Sequence, residues 1–163
     1  MTCKTGAGLT LILALATTAV GQKSSGTVKC AKADQQQTIQ IGDKPNHAFS
    51  ISQSKCTWVK PMEIGGVANT EGVVTSSDEA CGNSAQLHGY FVGMMANGDN
   101  GYYRYNGTST SKDGILQTAE DKWTLVAGTG KLKGLKGQGT CKGKGDPDGS
   151  VTWECEGTFE SPK

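Results

Sequence analysis

The sequence predicts an all-β fold, a single antiparallel β-barrel of about eight strands that follows a cleaved signal peptide. Short segments of alternating polar and apolar residues recur along the chain, and turn residues separate them. Glycine accounts for 24 of the 163 residues, and no sustained helical period occurs after residue 21. A β-sandwich would share these features, but closure into a barrel removes exposed sheet edges, so the barrel is favoured.

Residues 1–21 have the features of a secretory signal peptide. Lys4 provides a positive start, residues 9–20 form an apolar run, and Ala19-Val20-Gly21 offers small residues for cleavage. The apolar run is shorter than the roughly 20 residues that a membrane-spanning helix needs. A membrane-tethered amino terminus is the alternative, but we expect a secreted or periplasmic protein with no membrane contact after cleavage.

Removal of the signal peptide leaves one domain. We expect a flexible segment at residues 22–27 and the β-barrel domain at residues 28–163. The formal net charge of the whole chain is +1, and Lys4 is the only charged residue before residue 22, so the mature chain is neutral. A neutral chain lacks the positive excess that attracts nucleic acid or anionic membranes, and neither is expected as a partner.

Residues 128–159 predict the clearest element, a β-hairpin that turns at Asp146-Pro147-Asp148-Gly149. Proline presets φ in such a turn, and glycine accepts a positive φ. When the arms are folded about this turn, two cysteines and two pairs of opposite charges meet across the strands, and each charge pair contributes about 0.2–1 kcal/mol. A slip by one residue would expose the apolar side chains. The opposed residues are Cys141 and Cys155, Lys142 and Glu154, and Lys136 and Glu160.

Glycines occupy the inner face of the first arm of this hairpin, at Gly137, Gly139 and Gly143. Glycine in a strand often marks a bend or the close approach of another group. We therefore expect a tightly curved barrel wall, with Trp153 or another aromatic side chain filling the gap.

Five cysteines follow the signal peptide, and export permits disulfides. The register of the hairpin predicts Cys141–Cys155, and Cys30–Cys56 is the second expected disulfide. Cys81 has no predicted disulfide partner, and we expect it to be a small buried residue or an unpaired thiol. The cysteine spacing and the two histidines do not favour a metal site, and neither a metal nor a cofactor is expected.

The segment before residue 60 changes phase. Phe49 and Ile51 alternate with serines, whereas the apolar positions Cys56 and Trp58 follow in the opposite phase. We therefore expect a β-bulge at residues 53–55. His47 follows Pro45 and Asn46 in a turn cluster, and we expect it to be exposed.

A second hairpin turns at Asn97-Gly98-Asp99-Asn100 and carries the predicted ligand site. A two-residue or a four-residue loop would place a histidine and a tyrosine of the first arm on the same face as two tyrosines of the second. A concave cavity with a few convergent polar groups is typical of small-molecule sites. The alternative is that these side chains are satisfied packing groups. The predicted ligand-binding residues are His88, Tyr90, Tyr103 and Tyr105, together with Trp123 and Trp153.

No catalytic residue is predicted. Asp78-Glu79 and Glu120-Asp121 are adjacent carboxylates, and neighbours on a strand point to opposite faces, so neither pair forms an acid–base dyad. We expect both pairs on the solvated surface. The chain has no nucleophile elbow and no phosphate-binding glycine loop before a helix.

Several short segments resemble known proteins. Residues 127–134 (AGTGKLKG) resemble the Gly-Gly-Thr-Gly-Lys-Phe segment of dirigent proteins and the related segment of allene oxide cyclase-like barrels. Residues 46–50, 88–91 and 120–123 resemble small exported bacterial proteins of unassigned activity. The resemblance implies a calycin-type barrel of eight antiparallel strands with a cavity for small hydrophobic molecules. None of the cavity carboxylates or arginines of dirigent proteins matches a position here, so it assigns no catalytic residue.

These patterns favour a secreted or periplasmic barrel that binds a small hydrophobic molecule. An envelope or extracellular structural protein without a ligand is the second interpretation, and a dirigent- or cyclase-like isomerase is the third. A binding protein is therefore favoured over an enzyme. The identity of the ligand and the oligomeric state are not predicted.

Overall fold

The computed structural model of the chain describes residues 21–161, which form ten β-strands and one short 3-10 turn. The predicted signal peptide lies outside the described residues, except for Gly21. The elements are β1 (Gln22–Cys30), β2 (Gln35–Gln40), β3 (His47–Lys60), β4 (Glu63–Ile64), β5 (Val67–Cys81), β6 (Ser84–Met95), β7 (Asn100–Lys112), β8 (Ile115–Gly128), the 3-10 turn Gly130–Leu132, β9 (Lys136–Gly145) and β10 (Val151–Glu160).

Eight strands close into one antiparallel barrel. Their order around the wall is β1, β10, β9, β8, β7, β6, β5 and β3, and β3 pairs with β1 to complete the circle. β2 continues the line of β1 along the same edge of β3, and β4 is a two-residue strand that pairs with β5. The predicted all-β barrel of about eight strands is confirmed.

The hairpin β9–β10 has the predicted register. Cys141 lies opposite Cys155 and forms a disulfide with it, and Lys142 lies opposite Glu154. The second predicted disulfide, Cys30–Cys56, joins β1 to β3 where the barrel closes. Both predicted disulfides are confirmed, and each links neighbouring strands of the wall. Cys81 is a free, exposed thiol at the end of β5.

The expectation of a flexible segment at residues 22–27 is wrong. β1 begins at Gln22, and its residues pair with β10 from Gln22 opposite Phe159 onwards. A Cβ at Gly26 would lie 2.6 Å from the carbonyl oxygen of Lys60, so glycine lets the end of β3 pack directly on β1. Sequence reasoning missed this strand because its partner β10 lies at the other end of the chain.

The expected bulge at residues 53–55 is also absent from the ladder between β3 and β5, whose register runs unbroken from His47 to Thr57. Phe49 and Ile51 instead point outward and remain 46% and 61% exposed. On its other edge, the register of β3 shifts against β1 between Thr27 and Val28, and it shifts again at residues 31–34 between β1 and β2. The change of phase therefore marks two outward apolar side chains, not a bulge.

Aromatic rings fill one half of the barrel lumen. Ring centroids are 6.4 Å apart for Trp58 and Phe91, 6.0 Å for Phe91 and Tyr103, and 5.6 Å for Tyr103 and Trp123. Phe159 stacks on Trp123 at 5.6 Å. Such contacts add about 0.5–1.5 kcal/mol per pair beyond the burial of apolar surface. This packed half of the lumen is the hydrophobic core of the domain.

The glycines of the hairpin β9–β10 make room for these rings. A Cβ at Gly139 would lie 2.4 Å from the Trp123 ring, and one at Gly157 would lie 2.3 Å from it. Trp153 covers Gly143 in the same way, at 2.7 Å. The prediction that aromatic side chains fill the gap over the glycine face is confirmed.

Candidate functional site

The six predicted ligand-binding residues do not lie on one face. His88 and Tyr90 point outward from β6, and Tyr90 is 52% exposed, whereas Tyr103 and Tyr105 point into the lumen from β7. Tyr90 lies opposite Arg104, and His88 lies opposite Asn106. The prediction that these four residues share a face is wrong.

The length of the β6–β7 loop explains this error. The Met95 N–H donates to the Asp99 carbonyl, and the Gly98 N–H donates to the Met95 carbonyl. Residues 96–98 therefore form a three-residue loop, with Gly98 at a φ of 86° in the left-handed region, as glycine allows. The sequence prediction assumed two or four residues, and an odd number shifts the register by one and exchanges the faces.

Tyr103 and Trp123 belong to the packed half of the lumen and are 7% and 6% exposed. Burial raises the pKa of the Tyr103 hydroxyl. Trp153 lies in the other half, against Gly143. Of the predicted residues, Tyr105 is the one that the structure brings next to inward-facing ionisable groups.

Small polar side chains line the second half of the lumen, which we call the polar half. β3 and β5 alternate strictly here, so serines point inward while Phe49 and Ile51 point outward. The Ser52 and Ser76 hydroxyls are hydrogen-bonded across the two strands at 2.8 Å. The inward positions of the polar half include Ser50, Ser52, Ser54, Ser76, Asp78, Leu87, Tyr105, Ser109 and Asp121.

Asp78 and Asp121 are the two carboxylates of the polar half. The register leads from Asp78 on β5 past Leu87 and Gly107 to Asp121 on β8, so both lie in one cross-strand row. Three strand spacings separate them, roughly 14 Å along the wall and less across the curved lumen. Each has a buried Oδ1 that finds no hydrogen-bond partner within residues 21–161.

Burial raises the pKa of both carboxyl groups. The pKa of Asp121 rises to about 7, opposed by a hydrogen bond from the main chain of Cys141. The pKa of Asp78 is also raised by burial, and interactions with Ser76 and with the main chain of His88 oppose the rise. At neutral pH, Asp121 is therefore divided between its acid and its carboxylate, and it can both donate and accept a proton.

Tyr105 lies next to both carboxylates. Burial raises the pKa of its hydroxyl, and the negative charges of Asp78 and Asp121 raise it further. The ring rests on β6 at Gly89, where a Cβ would lie 2.5 Å from the hydroxyl oxygen. Glycine at position 89 therefore leaves room for the Tyr105 hydroxyl in the lumen.

The expectation that both acidic pairs lie on the solvated surface is thus wrong for one residue of each pair. Glu120 is exposed on the outer wall, as expected, but Asp121 points inward, and Asp78 does so from β5. Alternation alone could have predicted one inward residue in each pair. The signal was present in the inward neighbours Trp123 and Leu125, which share the phase of Asp121.

His47 forms a second ionisable cluster, where the β2–β3 loop meets β5. It is 8% exposed, so the expectation of an exposed histidine is wrong. One ring nitrogen is bonded to the Asp43 carboxylate, and the other lies 2.9 Å from Glu79 Oε1. These two bonds, first that to Glu79 and then that to Asp43, raise the pKa of His47. The two carboxylates favour the protonated form of His47, and its hydrogen bonds link the loop to β5.

A groove of about 920 Å³ lies on the outer wall of the barrel, across the strands from β7 to β1. Its side chains are those of a solvated face, including Lys23, Lys122 and Glu156, and Trp123 is the one predicted site residue that borders it. Residues 21–161 contain no group of three or more side chains suited to a metal ion. They also contain no helix that is long and apolar enough to span a membrane.

The sequence matches no known protein family and no curated protein, but solved structures share its fold. A pterocarpan synthase dirigent protein superposes with a TM-score of 0.50 at 12% identity, over 94% of this chain and 100% of that chain. A protein of unknown function from Clostridium acetobutylicum superposes with a TM-score of 0.51 at 12% identity, over 84% of this chain and 99% of its own. These likenesses establish the fold alone: the chain is a β-barrel of the architecture found in a dirigent protein and in a protein of unknown function.

Proposed function

We propose that this protein is an exported barrel that binds a small, mainly apolar molecule in the polar half of its lumen, through a group that donates hydrogen bonds or carries a positive charge. The observation that supports this most directly is the pair of inward carboxylates, Asp78 and Asp121, whose buried oxygens have no partner among the described residues. An unpaired buried oxygen costs about 1–3 kcal/mol, and a donor on a ligand would recover that cost.

The surroundings favour an apolar body for the ligand. Leu87 and the Cys141–Cys155 disulfide lie in the same cross-strand row as the two carboxylates. The packed aromatic half closes the lumen on one side, so the ligand is small and enters from the opposite end. Two disulfides suit an oxidising compartment, which agrees with export.

Three ligands that differ only in one group test this proposal: benzylamine, benzyl alcohol and benzoate. Titration followed by NMR should show that the amine and the alcohol shift the resonances of Asp78, Tyr105 and Asp121, whereas benzoate does not, because two carboxylates repel it. Asp78→Asn and Asp121→Asn should each raise the dissociation constant of benzylamine about tenfold. Glu120→Gln, which changes the exposed neighbour of Asp121, should leave it unchanged.

Equal binding of all three ligands would contradict the proposal, as would an amine whose affinity does not depend on either aspartate. Binding that maps to the outer groove near Lys23 and Lys122 would move the site out of the lumen.

The pKa of about 7 at Asp121 favours a second candidate function, an acid–base isomerase or cyclase that uses the same lumen. A general acid or base works best when its pKa is near the working pH. Mass spectrometry of the natively purified protein would identify a retained ligand. Proton exchange of that ligand in D2O, lost in Asp121→Asn while binding persists, would support catalysis over binding alone.

A further inference from the structure

The outer wall of the barrel has an apolar face over the aromatic half of the lumen. Outward side chains of β6 and β7 are exposed there: Tyr90 by 52%, Met94 by 48%, and Val92 and Tyr102 by 36% each. Val73 on β5 lies beside Val92 and extends the face. We call this set, together with Glu71 and Arg104, the β5–β7 patch.

The composition of the patch differs from that of the outer wall on β9 and β10. The outward positions of β9 and β10 carry lysine, threonine, glutamine and glutamate, as a solvated face does. The patch contains two of the four tyrosines and the sole arginine of the chain, which otherwise uses lysine. Tyrosine, methionine and arginine are enriched in protein–protein interfaces, and tyrosine and arginine are frequent in their energetic centres.

The two charges of the patch lie on opposite sides of its apolar centre. Glu71 on β5 lies beside Met94, and Arg104 on β7 lies beside Tyr90. Val92 is midway along β6 between Met94 and Tyr90. The acidic corner and the basic corner are therefore diagonal across Val92.

We infer that the β5–β7 patch binds a second copy of this chain, face to face across a two-fold axis that passes by Val92. A two-fold interface needs a surface that complements itself. An axis in the plane of the patch that brings Glu71 opposite Arg104 of the partner subunit also brings Arg104 opposite Glu71 of the partner subunit. The net charge of +1 means that long-range repulsion between copies is small.

The same axis pairs the apolar side chains. From the strand spacings and the register, Val92 meets its own counterpart, Met94 meets Tyr102 of the partner subunit, and Tyr90 meets Val73 of the partner subunit. The exposed aromatic and thioether groups are then covered, and one ion pair closes each end of the apolar strip.

Analytical ultracentrifugation of the exported chain over a wide range of concentrations tests this inference. The wild-type protein should sediment as a monomer–dimer equilibrium. Val92→Lys should raise the dimer dissociation constant about tenfold or more, because it places two like charges at the axis. Ile39→Lys is the matched control: Ile39 is 71% exposed on β2, which pairs with β3 at the end of the wall remote from the patch, and this variant should dimerise like the wild type.

Reversal of the two charges gives a second test that does not depend on the loss of a side chain. Glu71→Arg and Arg104→Glu should each weaken the dimer about tenfold, because each places like charges at both ends. The double variant, Glu71→Arg with Arg104→Glu, restores opposite charges at both ends and should recover the dimer. Circular dichroism of each variant will confirm that the barrel is intact.

A wild-type protein that stays monomeric at millimolar concentration would overturn the inference. A dimer that withstands both Val92→Lys and the charge reversals would also overturn it. A dimer that Thr38→Pro abolishes while Val92→Lys leaves it intact would place the interface at the edge of β2, whose outer side has no paired strand among the described residues.

Discussion

The two halves of the lumen use the same eight strands in opposite ways. In the aromatic half, five rings pack in a continuous row from Trp58 to Phe159, and glycines on β9 and β10 make room for them. In the polar half, the inward positions hold serines and two carboxylates with raised pKa values, beside Leu87, Trp153 and the Cys141–Cys155 disulfide. The packed rings of the aromatic half therefore stabilise the barrel, whereas the buried carboxylates of the polar half lower its stability.

That division fits the proposed ligand site. Buried carboxylates with an oxygen that lacks a hydrogen-bond partner among residues 21–161 reduce stability, and such groups are found where a ligand or a reaction needs them. The Cys141–Cys155 disulfide belongs to the polar half and joins two strands of its wall, since it lies in the same cross-strand row as Asp121.

Replacement in the aromatic half should have the largest effect. Trp123→Ala removes the ring that contacts both Tyr103 and Phe159 and covers Gly139, so it should lower the free energy of unfolding by about 3–5 kcal/mol. Urea unfolding with the disulfides intact measures it. Val126→Ala is the control, because Val126 is a neighbouring side chain on β8 that is 48% exposed. An equal loss in the two variants would contradict a core in this half.

Replacement in the polar half should have the opposite sign. The pKa of Asp121 is about 7 in the folded chain against 3.8 in an ordinary environment. The folded state therefore binds the proton more tightly, and the free energy of unfolding falls as the pH rises from about 4 to about 7. Asp121→Asn should remove this loss and stabilise the protein at pH 8 by on the order of 2–4 kcal/mol.

Urea unfolding of wild type and Asp121→Asn at several pH values measures this effect. Glu120→Gln is the matched control and should change stability by less than about 0.5 kcal/mol, because Glu120 is exposed on the outer wall. A wild type whose stability is flat between pH 4 and pH 7, or an Asp121→Asn variant that is destabilised, would show that the polar half carries no such cost.

The His47 cluster should have a smaller effect, in the same pH direction. Its pKa is raised above 6.5 by Glu79 and Asp43. The ion pairs therefore stabilise the fold below pH 6.5, and this contribution is lost as the pH rises through the raised pKa. In the Asp121→Asn background, His47→Gln should reduce the decline of stability above pH 6.5. His88→Gln changes an exposed histidine of the outer wall and should leave that decline intact.

The sequence predicted the barrel well where several signals agreed. In the hairpin β9–β10, the turn residues, the cysteines and the opposite charges indicated the same register, and the structure has that register. The strand at residues 22–27 was missed because its pairing with β10 spans the whole domain. Local propensity carries no information about a partner so distant in the chain.

The candidate site was harder to predict because the face on which each side chain lies depends on whether the β6–β7 loop has an odd or an even number of residues. One residue more or less in the β6–β7 loop decides whether His88 or its neighbours face the lumen, and Asn97-Gly98-Asp99-Asn100 fits more than one loop length. Phe49 and Ile51 misled the assignment of faces on β3, since apolar residues were assumed to point inward. Without correct faces on β3, Asp78 was not recognised as a lumen residue, whereas the phase of Trp123 and Leu125 already indicated that Asp121 points inward.

The pKa of Asp121, measured by NMR titration of its side-chain carboxyl carbon in the wild-type protein, is the most direct test of whether the lumen is divided into an aromatic half and a polar half. A buried carboxyl group with an unpaired oxygen should titrate near pH 7. Its resonance should also sense the titration of Asp78, which shares the row. A titration near pH 4 would mean that Asp121 is solvated, and it would contradict the division of the lumen on which the proposed site depends.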